Sequence, residues 1–311
     1  MGLLGHLGAV LLGLLALSGP SAALASHEQL DGAYDQGIAR IPGGWVVSGT
    51  DVLARLDEHL QTVRRVDAAI PPAWAQRGFD HVGDIDVSGT TVYVPFEQPD
   101  YDRGTQAMAR YDLRTLSFRG ATTVDQHENS FVAVDAASGI AYSMDRFGGR
   151  ALLRYDIRAG WRRLKPLVLD RALQKVQGAS VARGAVWLMT DDARHGVYHV
   201  DIGSGAVTDI GSAPPADGEG EGIDAAETSA GTLHATVTDA DHAAVTLDHF
   251  ATSGESPART GASVSATDTS WPPALIYFGI ALVVVALAAV GTMFRRARTT
   301  LHPKARPPTS D

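Results

Sequence analysis

The chain contains no cysteine. That excludes a disulfide framework, a thiolate nucleophile, a Cys-ligated zinc site and a c-type haem attachment. Asparagine occurs once, as Asn129-Ser130-Phe131, so there is no Asn-x-Ser/Thr glycan acceptor. Lysine is scarce, with Arg outnumbering it 23 to 3. Positive charge is short in the bulk of the chain: residues 26–270 hold 21 basic against 34 acidic groups, a net of −13. An acidic bulk excludes nucleic acid as a partner, because phosphate binding needs a basic face. No Gly-x-Ser-x-Gly elbow, phosphate-binding Gly-rich Lys loop or His-Glu-x-x-His is present. Long helical periodicity is missing between about 26 and 250. With 45% apolar and 20% charged residues, the chain nonetheless has the composition of a folded protein.

The two ends predict topology. Residues 2–18 form an apolar run broken only by His6 and Ser18, followed by Gly19-Pro20 and the small-x-small pattern Ala23-Leu24-Ala25. This is the layout of a signal peptide over 1–25, cleaved after Ala25. Near the other end, 274–294 is a stretch of 21 uncharged residues, ALIYFGIALVVVALAAVGTMF. As a helix it spans roughly 31 Å, close to the hydrocarbon thickness of a bilayer. Trp271, Tyr277 and Phe278 stand at its start, and Arg295, Arg296, Arg298, Lys304 and Arg306 follow it. The expected organisation is a signal peptide (1–25), an extracellular domain (26–250), a Ser/Thr/Ala-rich stalk (251–271), one transmembrane helix (272–294) and a basic cytoplasmic tail (295–311). The lipid bilayer is therefore an expected partner, through 272–294.

The middle repeats. Short Val-, Ile-, Tyr- and Trp-rich runs alternate with Gly, Asp and Ser, which reads as antiparallel β. Segments ending in Asp57, Asp112, Asp156, Asp201 and Asp248 are spaced 55, 44, 45 and 47 residues apart. An aspartate there accepts hydrogen bonds from backbone N–H groups of a hairpin turn. First strands begin near Ile38, Ile85, Phe131, Ala179 and Ile223, at steps of 47, 46, 48 and 44. A unit of about 46 residues with up to four strands predicts an all-β fold, a β-propeller of about five four-stranded blades. A sixth blade and a two-sheet sandwich are the alternatives. Residues 26–35 are expected to supply the missing outer strand of the last blade. Trp45, Tyr93, Tyr142 and Trp187 fall at equivalent second-strand positions and are expected between blades.

Loops leading into the first strands then converge on one channel mouth. Four residues before each first-strand anchor stand Tyr34, His81, His127, Lys175 and Glu219. Two before stand Gln36, Gly83, Asn129, Gln177 and Glu221, with Asp84 and Glu128 beside them. These side chains are the candidate ligand-binding set. Asp84, Asn129 and Glu221 have the oxygen chemistry of a Ca2+ site, and His81 and His127 with Glu221 that of a zinc or other transition-metal site. Hydrogen bonding among themselves and with the backbone is the plainer alternative. The loop from Asp217 to Asp224 gathers four carboxylates without EF-hand spacing.

Gly222-Ile223-Asp224-Ala225, Phe131-Val-Ala-Val-Asp135 with Ser138-Gly139, and the Arg-Tyr-Asp turns give roughly residues 36–250 a resemblance to secreted bacterial β-propellers of the gluconolactonase-like, NHL and YVTN class. In the lactonase-like members a divalent metal is held by Glu, Asn and Asp at the channel. By that resemblance Glu221 and Asn129 match such ligands, while the Pro-Asn-Gly and Glu-Gly-Pro motifs are missing. Three functions are thus expected in competition: binding of an extracellular ligand or protein at the channel mouth, metal-dependent hydrolysis of the lactonase type, and a structural envelope spacer.

Overall fold

Trp45-Val46-Val47-Ser48 shows how the strands are built. Successive side chains of a strand point to opposite faces. Val46 packs toward blade 2, while Trp45 and Val47 pack toward blade 5, and all are buried. A strand sandwiched between two blades has no solvent face, so its sequence is a continuous apolar run rather than an alternating one. The outer strand of the same blade, Thr62–Val66, is almost wholly exposed and carries Thr62, Arg64 and Arg65.

The computed structural model describes residues 21–145, 148–214 and 217–253. They form five antiparallel sheets, each running from an inner to an outer strand. Blade 1 is Gly37–Ile41, Gly44–Gly49, Val52–Leu56 and Thr62–Val66. In blade 2 the inner strand is split into His81–Val82 and Asp86–Ser88, both paired with Thr91–Glu97; Gln106–Asp112 and Phe118–Val124 follow. Blade 3 runs Ala133–Asp135, Ile140–Met144 and Gly148–Asp156, with Arg162–Arg163 and Leu167–Gln174 sharing its outer edge. Blade 4 is Val176–Ala182, Ala185–Thr190, Gly196–Asp201 and Val207–Ser212. Blade 5 is Gly220–Asp224, Thr232–Thr238 and Ala244–Ser253, and its outermost strand is Ser21–Asp31 from the other end of the chain.

Five apolar clusters accompany the five sheets, one at each junction between neighbouring blades. The cluster of Leu30, Tyr34, Ile38, Trp45, Val47, Leu56, Val245 and Leu247 joins blade 5 to blade 1 and closes the ring. The described residues therefore form a five-bladed β-propeller, neither a sandwich nor a six-bladed ring. The four second-strand aromatics pack at four different junctions, as their repeat positions predict.

Three expectations need correction. The closing strand starts at Ser21, and the expected cleavage point at Ala25 coincides with a register shift between Leu24 and Ser26. The expected stalk begins inside the third strand of blade 5, because pairing with Ser21–Ala23 extends that strand to Ser253. Asp248 is not a turn residue. It lies mid-strand opposite Ala235 and His27. The turn position of this blade is Ala251, which faces Thr232 as Asp112 faces Thr91 and Asp201 faces Ala185. The chain makes no hairpin there, so a turn carboxylate has no task. Residues 1–20, the rest of the stalk, the expected membrane helix and the basic tail lie outside the described residues. Among the described residues no helix is long and apolar enough to cross a membrane.

Candidate functional site

One position before the first-strand anchors the chain reads Gly37, Asp84, Ser130, Gly178 and Gly222. The three glycines leave the axis open, and Asp84 fills it. Its Oδ1 accepts the N–H groups of Ile38 (3.0 Å) and Ile85 (3.0 Å), and its Oδ2 those of Ala179 (2.9 Å) and Ile223 (3.4 Å). The Asp84 backbone bonds Ser130 (2.7 Å) and Val132 (3.1 Å) in blade 3. One residue thus ties all five inner strands together. Burial pushes its pKa well up, against the opposing pull of the N–H bonds from Ala179, Ile38 and Ile223. A Cβ at Gly222 would stand 2.8 Å from Gly37 Cα and 2.9 Å from Asp84 Oδ1, so a side chain there collides with the plug.

Above the plug lies a cavity of about 230 Å³ lined by Gln36, Asp80, His81, Glu97, Pro99, Tyr101, Ser130, Gln177 and Glu221. The lining has three carboxyl groups and no Lys or Arg. His81 Nε2 donates to Gln36 Oε1 (2.8 Å). Glu97 is fixed from two sides: the Tyr101 hydroxyl donates to Oε1 (2.6 Å), and the Asn129 N–H to Oε2 (2.7 Å). Glu221 is 3% exposed, and its Oε1 has no hydrogen-bond partner. Burial, with the Glu219 carboxyl beside it, holds Glu221 well above the usual carboxylate range. Its carboxyl lines the polar cavity with a raised affinity for its proton.

The candidates read from the repeat divide by register. Of the positions two before the anchors, Gln36, Gln177 and Glu221 reach the cavity, while Gly83 brings no side chain. Asn129 turns below it: Nδ2 donates to the Ala107 carbonyl (2.8 Å) and the Phe96 carbonyl (3.3 Å), and Oδ1 accepts from Gln126 (2.8 Å). Of the positions four before, only His81 lines the cavity. The others are held within or beside their own blades: His127 by Asp145 (3.1 Å), Lys175 by Asp191 (2.9 Å), and Tyr34, buried at the blade 5–blade 1 junction, by Thr62 (2.9 Å). Glu219 stands 4.0 Å from His242, and Glu128 is buried outside the lining. The outer ring therefore does not converge as a set: His127 and Lys175 turn to acids just past the ends of the second strands, Tyr34 turns to an outer strand, and Glu219 lies beside Glu221 without lining the cavity. Asp80, Glu97, Pro99, Tyr101 and Ser130 were not singled out. Glu97 was findable, since second strands end at the same mouth where first strands begin.

Asp84, Asn129 and Glu221 do not fit a divalent ion. The first spends both oxygens on backbone N–H groups, and the second spends its amide on protein carbonyls and Gln126. Among the described residues no three His, Asp or Glu side chains converge as metal ligands.

No protein-family model matches the chain, and no curated protein matches it. Among solved structures it is similar to the crystal structure of Myxococcus xanthus glutaminyl cyclase, with a TM-score of 0.58 and 13% identity, covering 75% of this chain and 98% of that one. It is also similar to Kuenenia stuttgartiensis hydrazine synthase, with a TM-score of 0.40 and 15% identity over 66% of this chain and 64% of that one. The first likeness carries the fold and no chemistry; the second adds nothing to it. The β-propeller fold read from the repeats is the fold that the first likeness shows.

Proposed function

We propose that the protein is a ligand-binding propeller displayed outside the cell on a single C-terminal span, and that its channel mouth takes a small ligand carrying an ammonium group. The observation that carries this reading is Glu221: a buried carboxyl with an unpartnered oxygen, in a cavity with two further carboxyls and no basic side chain but His81. An ammonium placed there pairs with Glu221 and draws off its proton, while Gln36, Gln177 and the oriented Glu97 supply further hydrogen bonds. The test is calorimetry of the full chain with small amines and amino-acid amides, in two buffers of different ionisation heat. Binding at pH 7 should release protons, and Glu221→Gln should abolish that release and weaken binding at least tenfold. Binding without proton release, or unchanged in Glu221→Gln, counts against the reading.

Sidedness has its own test. A chain without cysteine accepts single reporter cysteines cleanly. In intact cells an impermeant maleimide should label Val63→Cys, on an exposed outer strand, and leave Thr299→Cys unlabelled. The reverse pattern overturns the orientation.

A second reading, acid–base chemistry in the same cavity, is favoured by the upward-shifted carboxyl of Glu221. The similar Myxococcus xanthus protein is a glutaminyl cyclase, and cyclisation of a glutaminyl group releases ammonia. Ammonia release from a glutaminyl peptide, lost in Glu221→Gln, is the result that would favour this reading over simple binding. The expected metal-dependent hydrolase finds no ligand set among the described residues, and the spacer reading gives the unpartnered Oε1 of Glu221 no role.

A further inference from the structure

By sequence Asp248 groups with four turn aspartates, and it is unlike them. Asp57 accepts the N–H groups of His59 and Gln61, Asp112 that of Thr115, Asp156 that of Ala159 and Asp201 that of Ser204. Asp248 lies in mid-strand and is 2% exposed, and its carboxyl makes no hydrogen bond or ion pair among the described residues. It lines a cavity of about 350 Å³ that shares no residue with the channel mouth. Leu24, Pro214 and Val237 form the apolar wall, and Gln29, bonded to Thr246 (3.1 Å), forms a polar edge with His27. Burial pushes the Asp248 carboxyl up to about 6, a rise opposed by the imidazoles of His27 and His195. The Nε2 of His195 is occupied by the Gly218 carbonyl at 3.1 Å.

A buried carboxylate without a partner is costly, and folding alone gives this one no task. The geometry points to a second ligand site in blade 5, taking a small organic ammonium whose alkyl or aryl body lies on Leu24, Pro214 and Val237 and whose N–H groups bond Asp248. Leu24 precedes Ala25, so processing there trims one wall and leaves the carboxylate, Val237 and Pro214 in place.

The test is ligand-observed NMR or calorimetry of the full chain with benzylammonium chloride. Saturable binding near about 1 mM is expected, a range open to a fragment of this size. Asp248→Asn should weaken it at least tenfold. Benzyl alcohol, with the same body and no charge, should bind at least tenfold more weakly. Thr246→Lys, which places an ammonium on the same strand face two residues from Asp248, should abolish binding while raising Tm, and it keeps the test open if Asp248→Asn fails to fold. Glu221→Gln should leave the affinity unchanged, which separates this site from the mouth. No saturation by about 10 mM, equal binding of the alcohol, retained binding in Asp248→Asn, or loss in Glu221→Gln overturns the proposal.

Discussion

At the scale of single residues, Asp84 decides the axis. Its two oxygens take four N–H groups from blades 1, 2, 4 and 5. Asp84→Ala strands those donors in a buried site, at about 1–3 kcal/mol for each one left unsatisfied. Asp84→Asn is isosteric but points an NH2 at N–H donors, so it loses part of the same network. We expect both variants to lower the denaturant midpoint with an unchanged m-value, alanine more than asparagine. An unchanged midpoint in Asp84→Ala would show that the hub contributes nothing. His234 is another residue whose surroundings fix its state. Its Nε2–H is held by Glu227 (3.0 Å), so its Nδ1 accepts from the Nδ1–H of His249 (2.7 Å). Burial is the main reason that His234 is pushed down to about 4, and the Glu227 bond only opposes it.

At the scale of elements, the closing strand matters more than any turn. Ser21–Asp31 covers the edge of Ala244–Ser253 and adds Leu30 to the blade 5–blade 1 cluster. Residues 21–25 present mostly exposed side chains, whereas Leu30 is buried. Removing 1–25 should therefore shift Tm by only a few degrees. Removing 1–31 uncovers a long strand edge and part of a junction core, and should produce loss of cooperative melting or aggregation. Melting followed by circular dichroism on the two truncations distinguishes them. Equal behaviour would mean that the ring holds without its outer strand. The turn aspartates act locally: the Arg119 guanidinium beside Asp112 holds that carboxyl below the usual range, yet the pair is exposed and screened.

At the scale of the molecule, buried titratable groups shape stability against pH in opposite directions. Burial raises Asp224 from 3.8 to about 6. The folded state therefore keeps a proton that the unfolded chain has released, and this stabilisation is full below 3.8 and lost as pH rises through 6. Asp86, half-buried and lining a cavity of about 400 Å³ together with Asp224, is raised to about 8, mainly by desolvation, with the Asp224 charge adding to it. His234 runs the other way: its contribution is full above 6.5 and lost as pH falls toward 4. Each group changes the slope by at most about 1.4 kcal/mol per pH unit. Urea unfolding across pH 4–9 should show Asp224→Asn flattening the fall in stability with rising pH up to about 6 and Asp86→Asn flattening it up to about 8, and His234→Gln flattening the fall with decreasing pH from 6.5 toward 4. Parallel curves for variant and parent would refute the assignment.

Much of the ring was legible because each blade must present the same apolar surface to identical neighbours. That requirement copies Ile38, Ile85, Phe131, Ala179 and Ile223 along the chain, and all five are buried. The site was legible only in part. Periodicity places Gln36, Gln177 and Glu221 at one height, and they do meet. It cannot say that His127 and Lys175 turn aside to Asp145 and Asp191, since side-chain pairing between strands is not periodic. Nor could spacing separate Asp248 from the turn aspartates, because the fifth blade takes its outer strand from residues more than two hundred positions away. The amino-acid order by itself determined the short strands and a repeat of about five units, which follow from composition and equal spacing, while closure by Ser21–Asp31 decided for five blades over six. Only the closed ring decided which carboxyls lose water and which find partners, because solvation and distance are set by atoms far apart in the chain.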